Sequence, residues 1–132
     1  MTVVLFACVH NAGRSQMAAA FFNALADPTR GRAISAGTQP GARVHPEVVE
    51  AMRELRVDLS SARPQHLTDE LVSTANVLVT MGCGDACPMV PAVKRIDWKI
   101  EDPKGQSQNR VRAIRDVIRE QVVRLIQAEG LA

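Results

Sequence analysis

Three side chains suited to chemistry on an anion lie close together near the start of the chain. Cys8, Arg14 and Ser15 belong to a loop that precedes a predicted helix, and such a loop turns backbone N–H groups toward a bound oxyanion. Arg14 adds a planar fork of donors for two oxygens of the same anion. The sequence therefore predicts an oxyanion-binding loop made of Cys8, Val9, His10, Asn11, Ala12, Gly13, Arg14 and Ser15.

The position of Cys8 in this loop indicates a nucleophile. The helix N-terminus favours thiolate over thiol, and Ser15 is placed to donate a hydrogen bond to the sulfur. Asn11 tolerates left-handed dihedrals and Gly13 allows close approach of the backbone. In the opposing interpretation Cys8 is a small buried hydrophobe and Arg14 is a surface residue. A cation at a helix N-terminus opposes the helix dipole, so the presence of Arg14 there favours a functional role over this interpretation. His10 is given no catalytic role.

A second pair of thiols, Cys83 and Cys87, follows a predicted strand at 76–81. In a parallel sheet this pair lies at the same edge as Cys8, so proximity of the three thiols is expected. A disulfide needs closer Cβ atoms than one helical turn gives, and the neighbouring Gly82, Gly84 and Pro88 make a regular helix unfavourable.

Two other interpretations of the cysteine pair remain: a surface loop with incidental cysteines, or half of a zinc site completed by His45 or His66. Structural zinc sites usually have a second close ligand pair, which the sequence lacks. Redox chemistry is therefore favoured over metal binding, and no metal site is predicted.

A carboxylate that could act as an acid lies later in the chain. Asp102 is in a turn-rich stretch after a predicted strand at 93–98, from which it can reach the loop. Glu101 and Asp97 are rivals by composition alone, and an exposed turn aspartate without a role is the remaining alternative.

The elements that must position these side chains alternate along the chain. Apolar, β-branched runs predict strands at 2–7, 33–36, 76–81 and 93–98. Helices are predicted at 15–26, from Pro46 through Leu55, from Thr68, and at 110–129, where arginines form the outer face. This alternation indicates an α/β fold with a parallel sheet and right-handed crossovers.

Length and composition agree with one domain over residues 1–132. The net charge of +2 gives no reason to expect nucleic acid as a partner, and the apolar run at 3–9 is too short to span a membrane. Three cysteines are an odd number and do not form the framework of a secreted protein. We expect a cytoplasmic protein.

The Cys-x5-Arg-Ser loop after the first strand resembles the low-molecular-weight phosphotyrosine phosphatase superfamily. The segment from Cys8 to Ala18 resembles its arsenate reductase branch, and similarity continues through residues 35–37, 79–81 and 98–103. The resemblance implies a single-domain, four-stranded parallel sheet flanked by helices. It also implies a role in arsenic detoxification.

By this resemblance, Cys8 attacks arsenate and Asp102 protonates the departing oxygen. Cys83 then attacks the Cys8 sulfur, arsenite leaves, and Cys87 resolves the resulting disulfide into a Cys83–Cys87 disulfide for thioredoxin or another thiol reductant. No bound organic cofactor is implied. The family's potassium site uses an acidic residue where this chain has Ala19, so that ion is not predicted.

Two further functions stay open at this point. The first is a phosphatase in which water cleaves a Cys8 phosphoenzyme, although the chain has no tyrosine and few aromatic residues to stack on a phosphotyrosine ring. The second is a non-catalytic sensor that binds an oxyanion or arsenite through its thiols.

Overall fold

Eight elements follow one another in the chain, in a computed structural model that describes residues 1–83 and 86–132. The strands are β1 (Thr2–Cys8), β2 (Gly31–Gly37), β3 (Val77–Thr80) and β4 (Lys94–Asp97). The helices are α1 (Arg14–Leu25), α2 (Pro46–Arg53), α3 (Asp69–Ser73) and α4 (Gln108–Ala128). The sheet is parallel throughout, in the order β2-β1-β3-β4, which confirms the predicted fold class.

The central strands are apolar on both faces because both faces are covered. Val4 and Phe6 of β1 belong to the larger apolar cluster, in which α1, α2 and α4 pack on one face. Leu5 and Ala7 point the other way, into a smaller cluster that includes Val72 of α3. This explains the uninterrupted apolar runs that predicted β1 and β3. Within the described residues, no helix is long and apolar enough to cross a membrane.

Two details of the helix predictions are wrong. Leu55 does not extend the buried face of α2, because the helix ends at Arg53 and leaves Leu55 40% exposed. Arg115 does not lie on the outer face of α4 with the other arginines. It is 8% exposed, and its Nη1 donates to the Ala51 carbonyl at 2.8 Å and to Glu54 at 2.9 Å.

Glu54, just after α2, is the carboxylate that ties this segment to α4. Hydrogen bonds from Arg112 and then from Arg115 hold the pKa of Glu54 below its ordinary value of 4.5. A lowered folded-state pKa gives stability that is fully present above the ordinary value and is lost as pH falls through the folded value.

We expect Glu54→Gln to lower Tm at neutral pH and to make Tm fall less steeply on acidification below 4.5 than in the wild type. Thermal unfolding followed by circular dichroism across pH measures this. Glu50→Gln is the matched control, since Glu50 pairs with Arg53 on its own helix and does not link two elements. The same decrease of Tm on acidification in Glu54→Gln and in the wild type would contradict the expectation.

Candidate active site

The predicted loop lies at the carboxyl edge of the sheet, between β1 and α1. Cys8 is the last residue of β1 and Gly13 immediately precedes α1. Asn11, Arg14 and Ser15 are all buried. The helix N-terminus therefore faces a site that is largely withdrawn from water, where its dipole and the Arg14 charge act on an anion with little screening.

The sulfur of Cys8 has a hydroxyl partner. Ser15 Oγ lies 2.9 Å from Cys8 Sγ, and Asn11 Nδ2 donates to the same Ser15 oxygen at 2.7 Å. Since the Asn11 amide nitrogen can only donate, Ser15 accepts from it and has its own proton free to donate to the sulfur. Hydrogen-bond contacts therefore connect Asn11, Ser15 and Cys8 in series.

Asn11 has the left-handed backbone that the sequence allowed, with φ of 51°. Its side-chain oxygen accepts from the Gln65 backbone N–H at 3.0 Å, so the conformation is fixed by a segment far along the chain. This anchoring offsets the cost of left-handed backbone at a residue other than glycine.

Arg14 is in the site and not on the surface, so the opposing interpretation of this residue is wrong. Its Nη1 donates to the Ile100 carbonyl at 3.2 Å, and its Nη2 lies 3.7 Å from Asp102 Oδ2. The Asp102 side chain is 49% exposed, and its other oxygen accepts from the Lys104 backbone N–H at 3.0 Å. The structure thus brings Asp102 to the loop, as expected from the sequence.

The two rival carboxylates have partners of their own elsewhere. Hydrogen bonds from Thr80 and then from Arg95 lower the pKa of Asp97. A hydrogen bond from Arg110 lowers the pKa of Glu101. Arg95 and Arg110 hold these two carboxylates, whereas Asp102 is the one of the three that lies beside Arg14 of the loop.

Cys83 and Cys87 form a disulfide, with their Cα atoms 5.6 Å apart. The Met81 N–H donates to the Ala7 carbonyl at 2.8 Å, which places the start of this segment beside the end of β1. However, both cysteines pack with Leu5 and Ala7 in the smaller cluster, whereas Cys8 packs in the larger one. In the disulfide form the three thiols share one edge of the sheet but lie on opposite faces.

Gly82 connects β3 to this cysteine pair and rests against Arg14. Its φ is +88°, and a Cβ built on it would lie 2.5 Å from Arg14 Nη1. A side chain at this position is therefore strained by the backbone and must also displace the guanidinium.

We expect Gly82→Ala to weaken phosphate binding by about 10- to 100-fold, because the displaced Arg14 loses charge-assisted hydrogen bonds to the anion. Isothermal titration with inorganic phosphate measures this. Gly130→Ala is the control, since Gly130 has a similar φ of +68° but nothing within 4 Å of the added Cβ. Equal affinities in the two variants would contradict the role given to Gly82.

Other residues around the loop are packing partners. Pro103 and His45 both lie close to Gly13, at 2.9 and 3.6 Å from a Cβ built there. His10 Nδ1 lies 3.0 Å from the Gln39 carbonyl oxygen, while Val9 and Ala12 contribute backbone hydrogen bonds to the next loop. Within residues 1–83 and 86–132, no group of three or more potential metal-binding side chains converges.

Trp98 packs against the larger apolar cluster, and its indole lies 5.8 Å from the Phe6 ring, centroid to centroid. Trp98 also lines a cavity of about 560 Å³, together with Gly82, Arg95 and Ile100. Gly82 and Ile100 both contact Arg14. This cavity therefore adjoins the oxyanion-binding loop.

One polar residue of the site was missed from the sequence. Gln16 falls inside the predicted helix at 15–26 and has no local sign of a role in the site, yet it is buried in the first turn of α1 and donates to Asn11 and to the Arg63 carbonyl. No local pattern reveals this, because Arg63 lies 47 residues further along the chain.

A thiol and an arginine in a loop between the first strand and first helix of a four-stranded parallel sheet define a protein of the low-molecular-weight phosphatase type. The model of the low molecular weight phosphotyrosine protein phosphatase family matches residues 3–130. The chain belongs to this family.

Relatives within the family carry the names of arsenate reductases. An arsenate reductase of Staphylococcus aureus is 33% identical over 121 residues, 88% of this chain and 89% of that protein. A glutaredoxin arsenate reductase of Synechocystis is 32% identical over 96% of this chain and 97% of that protein. The solved structure of a thioredoxin-dependent arsenate reductase from Corynebacterium glutamicum superposes with a TM-score of 0.84 at 37% identity, covering 98% of this chain. This chain spans 63% of the length of the Corynebacterium protein.

Proposed function

We propose that this chain reduces arsenate to arsenite, using Cys8 as nucleophile and the Cys83–Cys87 pair as an internal reductant. The observation that carries the proposal is the disulfide between Cys83 and Cys87 at the sheet edge that also holds the Cys8 loop. Hydrolysis of a phosphate ester needs the loop and an acid but no second thiol, whereas reduction of arsenic needs two electrons from a pair of thiols.

The first step is substitution at arsenic. Arsenate is a tetrahedral oxyanion, and the loop N–H groups with Arg14 bind its oxygens. The Cys8 thiolate attacks arsenic, the bond from arsenic to a hydroxyl group of arsenate breaks, and Asp102 protonates that hydroxyl, so that water leaves. Arsenic keeps its oxidation state in the Cys8 adduct.

The second step transfers the electrons. The Cys83 thiolate attacks Cys8 Sγ, the S–As bond breaks, and its electron pair stays on arsenic, which leaves as arsenite. The two sulfurs are oxidised to a Cys8–Cys83 disulfide.

A thiol–disulfide exchange completes the relay. The Cys87 thiolate attacks Cys83, which frees the Cys8 thiolate and leaves the Cys83–Cys87 disulfide.

The relay requires movement of the chain after Gly82. Cys83 packs on the face opposite Cys8 in the disulfide form, so its sulfur must cross the sheet edge before it can reach the adduct. A Cys83–Cys87 disulfide is the last state of this cycle, and an external thiol reductant must return it to the dithiol. Thioredoxin or another thiol reductant supplies these electrons, and the reducing cytoplasm is the compartment where such a cycle runs.

Asp102→Asn should slow the chemical step by about 10²–10⁴-fold and change phosphate affinity little, because the amide cannot give up a proton to the leaving oxygen. Single-turnover kinetics across pH measures the rate. Glu101→Gln is the matched control, since Arg110 already holds Glu101 away from this role. An unchanged rate in Asp102→Asn would assign the acid to another residue or to solvent.

Disulfide mapping after one turnover tests the proposal as a whole. Fully reduced protein is mixed with arsenate, quenched with acid, and its peptides are analysed by mass spectrometry while arsenite is quantified. We expect one arsenite per protein and a Cys83–Cys87 disulfide. Absence of arsenite, or a disulfide formed equally fast without arsenate, would contradict the function.

A phosphatase is the second candidate, favoured by the family and by the intact set of Cys8, Arg14 and Asp102. It predicts hydrolysis of a phosphate ester that continues when the cysteine pair is replaced. A protein that binds arsenate without turnover is distinguished by the single-turnover experiment with arsenate, because it releases no arsenite.

A further inference from the structure

Gln16 carries a buried side-chain amide next to the oxyanion-binding loop. It is 6% exposed, and its Nε2 lies 3.1 Å from the Asn11 carbonyl oxygen, 3.2 Å from Asn11 Oδ1 and 3.2 Å from the Arg63 carbonyl oxygen. A single nitrogen thus joins the oxyanion-binding loop to the segment that precedes α3. Such a buried amide is retained only where its hydrogen bonds are satisfied.

Backbone groups determine which way both side-chain amides point. The carbonyls of Asn11 and Arg63 can only accept, so the nitrogen of Gln16 must face them. The Gln65 backbone N–H can only donate, so the oxygen of Asn11 must face it. Asn11 Oδ1 therefore receives two donors, one from Gln65 and one from Gln16.

The orientation of Asn11 decides the direction of the bond to the sulfur. With its oxygen held, Asn11 presents Nδ2 to Ser15, and the Ser15 proton is left for Cys8. A rotated Asn11 would present its oxygen to Ser15. The hydroxyl proton would then go to Asn11, and the Cys8 thiolate would lose its donor.

We propose that Gln16 is a positioning residue that holds the Asn11 amide in the orientation from which Ser15 donates to the Cys8 sulfur. The inference rests on the proposed role of Cys8 as nucleophile, but it concerns the state of the thiol before any substrate binds. Gln16 acts through Asn11 and Ser15, because its side-chain nitrogen bonds to Asn11 and to the Arg63 carbonyl.

The test is the pH midpoint of Cys8 alkylation by iodoacetamide in the disulfide form, where Cys8 is the free thiol. Gln16→Met removes both hydrogen bonds to Asn11 and is expected to raise this midpoint by about 0.5–1 pH unit. Gln65→Met is the matched control. It loses a side-chain bond to the Ser35 carbonyl but keeps the backbone N–H that binds Asn11, so its midpoint should stay at the wild-type value.

An unchanged midpoint in folded Gln16→Met, or an equal rise in Gln65→Met, would overturn the proposal. Gln16→Glu provides a second variant of nearly the same size. Its carboxylate faces the same three oxygens, and we expect a midpoint raised at least as far as in Gln16→Met.

A measurement on the unchanged protein covers the case in which neither variant folds. The side-chain amide protons of Asn11 should exchange slowly with water in NMR spectra, and fast exchange would overturn the proposal. Neither readout uses arsenate. Failure of the wild-type protein to reduce arsenate would therefore contradict the proposed function and leave the result on Gln16 standing.

Discussion

Replacing Cys8 by serine is expected to abolish both arsenate reduction and any hydrolysis of a phosphate ester. The loop that stabilises a thiolate cannot ionise a serine hydroxyl to a useful degree, and the un-ionised hydroxyl is a poor nucleophile toward arsenic. Both candidate enzymatic functions begin at this atom, so both should be lost together. Rates of arsenite formation and of p-nitrophenyl phosphate hydrolysis measure the two activities.

Phosphate binding provides the control for Cys8→Ser. Arg14 and the loop N–H groups remain in place, and the Ile100 carbonyl still holds the guanidinium. We expect phosphate to bind within about tenfold of the wild-type affinity. Reduction retained in a variant that binds phosphate normally would exclude Cys8 as the nucleophile.

Replacing Cys87 by serine should allow one arsenite per protein and then stop the cycle. Cys83 can still attack the Cys8 sulfur, but nothing resolves the Cys8–Cys83 disulfide into the form that an external reductant reduces. Multiple-turnover activity with thioredoxin and thioredoxin reductase should therefore fall to background. Peptide mapping after exposure to arsenate should find the Cys8–Cys83 disulfide.

Cys83→Ser is the matched variant for this experiment. It removes the thiol that breaks the adduct, so we expect no arsenite, while phosphate ester hydrolysis, which needs Cys8, Arg14 and an acid, survives. Cys87→Ser that turns over normally would show that Cys87 is dispensable. Recycling would then proceed by direct attack of an external thiol on the Cys8–Cys83 disulfide.

The sequence alone determined the features that depend on neighbours in the chain. An uninterrupted apolar run predicted β1, because a strand buried on both faces needs apolar residues at consecutive positions. The loop from Cys8 to Ser15 was predicted because its residue types and its place before α1 are local properties. Helix ends were predicted less well, since Leu55 continues the apolar spacing of α2 beyond the residue where the helix ends.

Tertiary structure alone decided which carboxylate faces the loop. Asp97, Glu101 and Asp102 lie within six residues and share the same chemistry. What separates them is the arginine that each meets, and Arg14 lies 88 positions before Asp102 in the sequence. No local pattern encodes such a pairing, because it depends on how the loop after β4 packs against α1.

The same physical reason applies to the cysteines and to Gln16. The spacing of Cys83 and Cys87 allowed a disulfide, but only the folded chain places both in the apolar cluster on the face opposite Cys8. Gln16 has the sequence of an ordinary helix residue, and its contact with the Arg63 carbonyl arises when separate segments meet. Hydrogen bonds between distant segments are set by three-dimensional packing, and a single sequence records their donors and acceptors without recording their partners.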